Sequence, residues 1–93
     1  MKRVVVTGLG MVTPLGCGAG YNWKNLLSGL SGGVKISKFD TENFKCKVAC
    51  EVPLGSASVG KFNPEEWIEK KEIKKIDDFI QFSMAASEQA FLD

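Results

Sequence analysis

The chain has 93 residues, 44% hydrophobic and 25% charged, values near those of soluble globular proteins, so neither disorder nor a membrane span is indicated. Twelve basic and eleven acidic side chains leave a formal charge of +1, too small a field to select nucleic acid or an anionic membrane as partner. Histidine is absent, which removes the commonest general base near neutral pH and the commonest metal ligand, and three cysteines in no framework spacing argue against a disulfide-stapled secreted domain. The expectations are a reducing, cytoplasmic setting, with no metal and no cofactor.

Met1-Lys2-Arg3 before Val4-Val5-Val6 has the outline of an export signal. Thr7, Gly8, Gly10 and Pro14 interrupt it, whereas such a signal needs about 7 to 15 uninterrupted apolar residues. The three β-branched valines instead predict a core strand buried on both faces, as in a parallel sheet. Gly8-Leu9-Gly10 then has the opening of a phosphate-binding glycine loop, but the third glycine position falls on Thr13 and no acidic residue stands about 20 positions on. Turn glycines are the better reading. Cys17, between Gly16 and Gly18, has no base to activate it and reads as structural.

Asn22 as an N-cap, followed by Trp23, Leu26, Leu27 and Leu30 at helical spacing, predicts a short helix ending near Gly29. The stretch to about Phe44 reads as an extended loop. Cys46, Val48, Cys50 and Val52 alternate with polar or small residues, predicting a half-buried strand in which both cysteines serve as small buried hydrophobes. Residues 55–60 read as a surface loop. Asn63, Pro64 and Glu66 then form a helix start, with Phe62 and Trp67 at the positions of a hydrophobic staple. Ile73, Ile76, Ile80, Met84, Ser87 and Phe91 keep a period of three to four, and a longer helix is predicted from about Asp78 to Leu92, capped by Asp77, with the later members of that series as its stripe.

Between the last two helices stand Lys70, Lys71, Lys74 and Lys75. Helical spacing brings Lys71, Lys74 and Lys75 onto one surface able to receive an acidic partner. A solvated face offset by Glu65, Glu66, Glu69 and Glu72 is the competing reading. Taken together, residues 1–93 read as α/β but as no complete domain: a strand, a helix, an irregular segment with a small strand, and two helices. A buried parallel strand needs neighbours on both edges, and none follows, which predicts a fragment of a larger protein.

The run from Arg3 to Gly16, RVVVTGLGMVTPLG, closely resembles the opening of the bacterial elongating β-ketoacyl-acyl-carrier-protein synthases, especially the type II form. Trp23-Lys24, Leu26-Leu27, Ser31-Gly32, Phe39-Asp40, Phe62-Asn63-Pro64, Lys71-Glu72 and Asp77-Asp78-Phe79-Ile80-Gln81 recur in that family's order. The resemblance therefore covers essentially the whole chain. It implies the N-terminal part of a thiolase-like fold, whose two related halves stack in five α-β-α-β-α layers and which works as a homodimer.

The activity it implies is condensation of malonyl-carrier with an acyl thioester in fatty acid elongation. In that family a cysteine thiolate carries the acyl chain and two histidines promote decarboxylation and condensation. None of these matches a position here, so no catalytic residue is expected and the segment alone should be inactive. The resemblance further implies that Lys71, Lys74 and Lys75 contact the acidic helix of acyl carrier protein, although arginine is commoner at the place of Lys74. A non-catalytic carrier-protein-binding module is the alternative. Ala19-Gly20 and Gly33 depart from the family pattern, as does a longer segment between Pro53 and Lys61.

Overall fold

Proline and glycine set the first fixed turn. The computed structural model, which describes residues 1–93, pairs β1 (Val12–Thr13) antiparallel with β2 (Gly16–Cys17), Val12 facing Cys17 and Thr13 facing Gly16. Pro14 fixes the backbone between them, and the Leu15 amide donates to the Thr13 hydroxyl at 3.0 Å. Gly18 (φ 103°) then leads into α1 (Ala19–Leu27) without a side-chain cap. Asn22, expected as that cap, lies inside the helix and is only 5% exposed. Its amide donates to the carbonyls of Gly16 at 3.0 Å and Gly18 at 2.8 Å, and its oxygen accepts from the Thr13 hydroxyl. The carbonyls leaving the hairpin need a buried donor, and a carboxamide supplies two. α1 ends as expected at Gly29 (φ 76°), where the Leu30 amide bonds the Asn25 carbonyl and the Gly29 amide that of Leu26, a Schellman turn.

β3 (Gly33–Lys35) and β4 (Val48–Cys50) form a second antiparallel pair with Val34 opposite Ala49. Residues 33–35 thus supply a strand where a loop was expected, and the expected strand across residues 46–52 shrinks to its centre. The burial phase is also inverted: Cys46, Val48 and Cys50 are exposed, while Ala49 is half-buried. A two-stranded pair with nothing packed on one face leaves that face in water. Residues 53–62 close on themselves, the Phe62 amide donating to the Pro53 carbonyl, and are stitched to the first hairpin by the Cys17 amide, which donates to the Gly60 carbonyl, both at 2.8 Å. Within them, Ala57–Val59 form a short 3-10 turn.

Asn63 caps the next turn, accepting from the Glu65 amide at 3.1 Å, with Pro64 in the first position. The helix starting there is a single 3-10 turn, Pro64–Glu66, and the chain bends at Trp67 before α2 (Lys70–Ile73) and α3 (Asp78–Leu92). α3 has the predicted limits, and Asp77 precedes it, but without a side-chain cap bond. Its predicted stripe is not its buried face. Gln81 and Ala85 are buried, whereas Met84 is 44% and Phe91 88% exposed.

The reason lies at the other end of the sequence. Residues 8–11 run along α3, where the Leu9 amide donates to the Asp93 carboxylate and the Met11 amide to the Gln89 side chain, each at 3.0 Å. A Cβ on Gly8 or Gly10 would run into the carbonyl oxygen of Ala90 or Ala86. Only glycine permits this approach, and the alanine side of α3 accommodates it, so that side turns inward. The glycine pair is therefore a helix-packing device rather than a pair of turn residues.

Val4, Val5 and Val6 are 95%, 70% and 79% exposed and join no ladder, contrary to the expected core strand. All four short strands present are committed to their own antiparallel pairs, so none remains to flank the valines. The core is accordingly small: Cys17, Phe62 and Ala85, with Val12, Val52, Trp67 and Phe82 against them. Phe62, 1% exposed, meets Phe82 edge to face at 5.1 Å. Full burial of a side chain of that size contributes roughly 1.5–3 kcal/mol. No helix is long and apolar enough to cross a membrane.

Candidate functional site

The segment Glu69-Lys70-Lys71-Glu72-Ile73-Lys74-Lys75 alternates charge with single apolar anchors. Buried Ile68 and half-buried Ile73 and Ile76 hold its inner side, which leaves the lysines facing water. α2 is one turn long, and the Lys75 amide extends it by bonding the Glu72 carbonyl at 3.0 Å. Gln81 reaches back from α3, its amide 3.4 Å from the carbonyls of Ile73 and of Ile76. The Ile73 carbonyl at the end of α2 would otherwise lack an intrahelical donor, and that of Ile76 lies in the turn before α3. Gln81 thus ties the backbone beneath Lys74 and Lys75 to the longest helix.

Lys71, Lys74 and Lys75, singled out in the sequence, come together around one shallow depression of ≈ 560 Å³, which Glu65, Lys70 and Ile73 also line. Lys70 is an addition to the expected set. Its i, i+4 relation to Lys74 was a usable signal, and the bend at Trp67 completes its placement. Lys70 lies 3.9 Å from Glu65 and Lys71 3.8 Å from Glu69, with all four side chains largely exposed. Such surface pairs contribute little and hold their partners weakly. Lys74 and Lys75 have no carboxylate oxygen within 4.0 Å. The face therefore offers four ammonium groups, two of them unpaired, to an anionic surface.

The three cysteines are dispersed. Cys17 is 6% exposed in the core, and its sulfur accepts from the Gln89 amide at 3.3 Å. Burial pushes its thiol pKa up, the Gln89 hydrogen bond opposes that rise, and the charge of Glu66 adds to it. A thiol held protonated is a poor nucleophile. Cys46 and Cys50 are exposed, with no histidine anywhere in the chain to activate them.

A second cleft, ≈ 510 Å³, lies between the first hairpin and the β3–β4 pair. The Glu51 carboxylate on its wall is already engaged, accepting from the Ser37 hydroxyl at 2.7 Å and the Ser37 amide at 3.0 Å. Those bonds hold the Glu51 carboxyl below the usual carboxylate range. The lysine face is the better candidate because its charges are free to meet a partner.

The family described as "Beta-ketoacyl synthase, N-terminal domain" matches residues 1–93. The 3-oxoacyl-[acyl-carrier-protein] synthase 2 of Rhizobium meliloti (strain 1021) is 46% identical over 93 residues, which is 100% of this chain and 22% of the relative. Its counterpart in Vibrio cholerae serotype O1 is 44% identical over 92 residues, 99% of this chain and 20% of the relative. That of Staphylococcus aureus (strain COL) is 37% identical over 92 residues. The chain thus spans about a fifth of the length of these relatives.

Proposed function

Because the chain belongs to the β-ketoacyl synthase family, with all of residues 1–93 matching its N-terminal domain, we propose that it forms the N-terminal portion of a 3-oxoacyl-acyl-carrier-protein synthase and supplies part of its carrier-protein docking surface. The reaction of the whole enzyme would be condensation of malonyl-carrier with an acyl thioester in fatty acid elongation. Within the five-layer thiolase-like arrangement proposed for the complete cytoplasmic homodimer, these residues act as scaffold and docking surface. The acyl-carrying cysteine and the histidines come from elsewhere in the polypeptide. The state of Cys17 supports that division, since a buried, protonated thiol is unsuited to carry an acyl group.

The observation that carries the docking role is the convergence of Lys70, Lys71, Lys74 and Lys75 on one depression, with Lys74 and Lys75 unpaired. An acidic carrier would be steered and oriented by that field, an effect strongest at low salt. The test is the triple variant Lys71→Glu, Lys74→Glu, Lys75→Glu in the complete polypeptide that carries these residues. Titration with acyl carrier protein at low salt should show affinity reduced at least about tenfold, with a flatter dependence on salt. Unaltered affinity would rule the docking role out.

A further inference from the structure

Resting on the carrier-protein reading above, we infer that the exposed aromatic pair Phe39–Phe44 extends the lysine face into a second, apolar contact for the same acidic carrier. Phe39 and Phe44 are 54% and 56% exposed, and their rings pack edge to face at 5.5 Å with planes 64° apart. The loop that carries them is locally ordered. Thr41 beneath it is 5% exposed, the Phe44 amide donates to the Thr41 carbonyl at 2.9 Å, and the Glu42 amide donates to the Asp40 carboxylate at 3.0 Å. The rings are therefore held outward by a built turn rather than left on a slack tether.

Position and charge connect them to the site. Lys38, next to Phe39, places its ammonium 3.5 Å from the carboxylate of Asp78, the first residue of α3. Asp78 follows Lys75 by three positions, a span of at most about 11 Å. Lys38, at the start of the aromatic loop, and Lys75, at the end of the lysine segment, thus both approach the start of α3. Between residues 35 and 47 the chain carries four lysines (Lys35, Lys38, Lys45 and Lys47) against only Asp40 and Glu42, so this loop is positive on balance, as is the lining of the lysine depression, with four lysines against Glu65.

The exposed valines of the opening segment differ. Lys2 and Arg3 precede the valines, but no charged residue falls between Val4 and Met11, and the patch carries no aromatic ring to anchor a partner. Aromatic rings rimmed by cations suit an acidic protein well, because exposed charges chiefly raise the encounter rate while buried aromatic anchors slow dissociation.

The test uses the complete polypeptide and acyl carrier protein. Phe39→Ala with Phe44→Ala should weaken binding at least about fivefold and leave the salt dependence unchanged, since no charge is removed. In the unaltered protein, amides 38–44 should gain protection from hydrogen exchange when carrier binds, which decides the matter even if the double variant fails to fold. If the lysine reversals weaken binding while the aromatic variant and the exchange of residues 38–44 are unaffected, the aromatic contact is overturned and the lysine site stands. If neither set of changes affects binding, both are overturned. Radical footprinting that fails to label either ring in the free polypeptide would show them covered by other parts of the chain, and would also overturn the contact.

Discussion

Three residues, Asn22, Cys46 and Cys50, take up roles in the fold other than those their local patterns predict, and each change traces to burial. Asn22 has every property of an N-cap, yet Gly18 takes that position and Asn22 bonds the carbonyls of Gly16 and Gly18 from inside the helix. No local pattern reveals that a hairpin will fold back over a helical asparagine. Cys46 and Cys50 alternate with polar or small residues, which marks them for an apolar side of the strand, but period alone cannot say which side has something to pack against. Cys17, by contrast, was legible as structural from the absence of an activating base. The three thiols should react accordingly. With iodoacetamide near pH 8, Cys46 and Cys50 should be alkylated at least roughly tenfold faster than Cys17, whose elevated pKa and enclosure suppress the thiolate. Peptide mass mapping over time reads the order, and equal rates would show that the core does not enclose Cys17.

Among elements, the β3–β4 pair depends on a bond outside its own ladder. Glu51, just past β4, accepts from the Ser37 hydroxyl and amide, which anchors the chain beyond β3 to the chain beyond β4. The Ser37 hydroxyl is the main cause holding the Glu51 carboxyl below its ordinary value of 4.5, followed by the Ser37 amide. Because the folded-state pKa is the lower one, this anchor contributes fully above pH 4.5 and is lost as pH falls through the folded value. Amide exchange at Ser37 should accordingly rise on acidification beyond the intrinsic pH trend, and Glu51→Gln should remove that pH-dependent part. An unchanged acid response in the variant would refute the anchor. α3 shows what was legible at this scale. Its limits follow from Asp77 before it and from an uninterrupted run without glycine or proline, whereas its inward face was decided by Gly8 and Gly10, some seventy-five residues away.

For the molecule as a whole, the radius of gyration is 15.4 Å, whereas a compact chain of this length would show roughly 12 Å. With only nine residues buried, cohesion depends on a few long-range attachments, and the docking of residues 8–11 on α3 is one of them. Gly10→Ala should drive a methyl group into the Ala86 carbonyl and detach that segment. The expected cost is roughly 1–3 kcal/mol in urea denaturation, with loss of amide protection at Leu9 and Met11. Wild-type protection in the variant would contradict the packing role of the glycine. The lysine face was readable from spacing because helical neighbours are fixed by geometry; its junction with α3 was not, since that depends on Gln81 meeting two carbonyls from the preceding turn.

That carboxamide clamp governs how the ammonium groups present themselves. Ile73 and Ile76, which bracket Lys74 and Lys75, are fastened by one side chain to a rod of fifteen residues, so the cations share a common bearing instead of fluttering independently. In the proposed docking, the ordering cost would then fall mainly on the lysine side-chain torsions, and the axis of α3 would set the direction from which an acidic carrier is received.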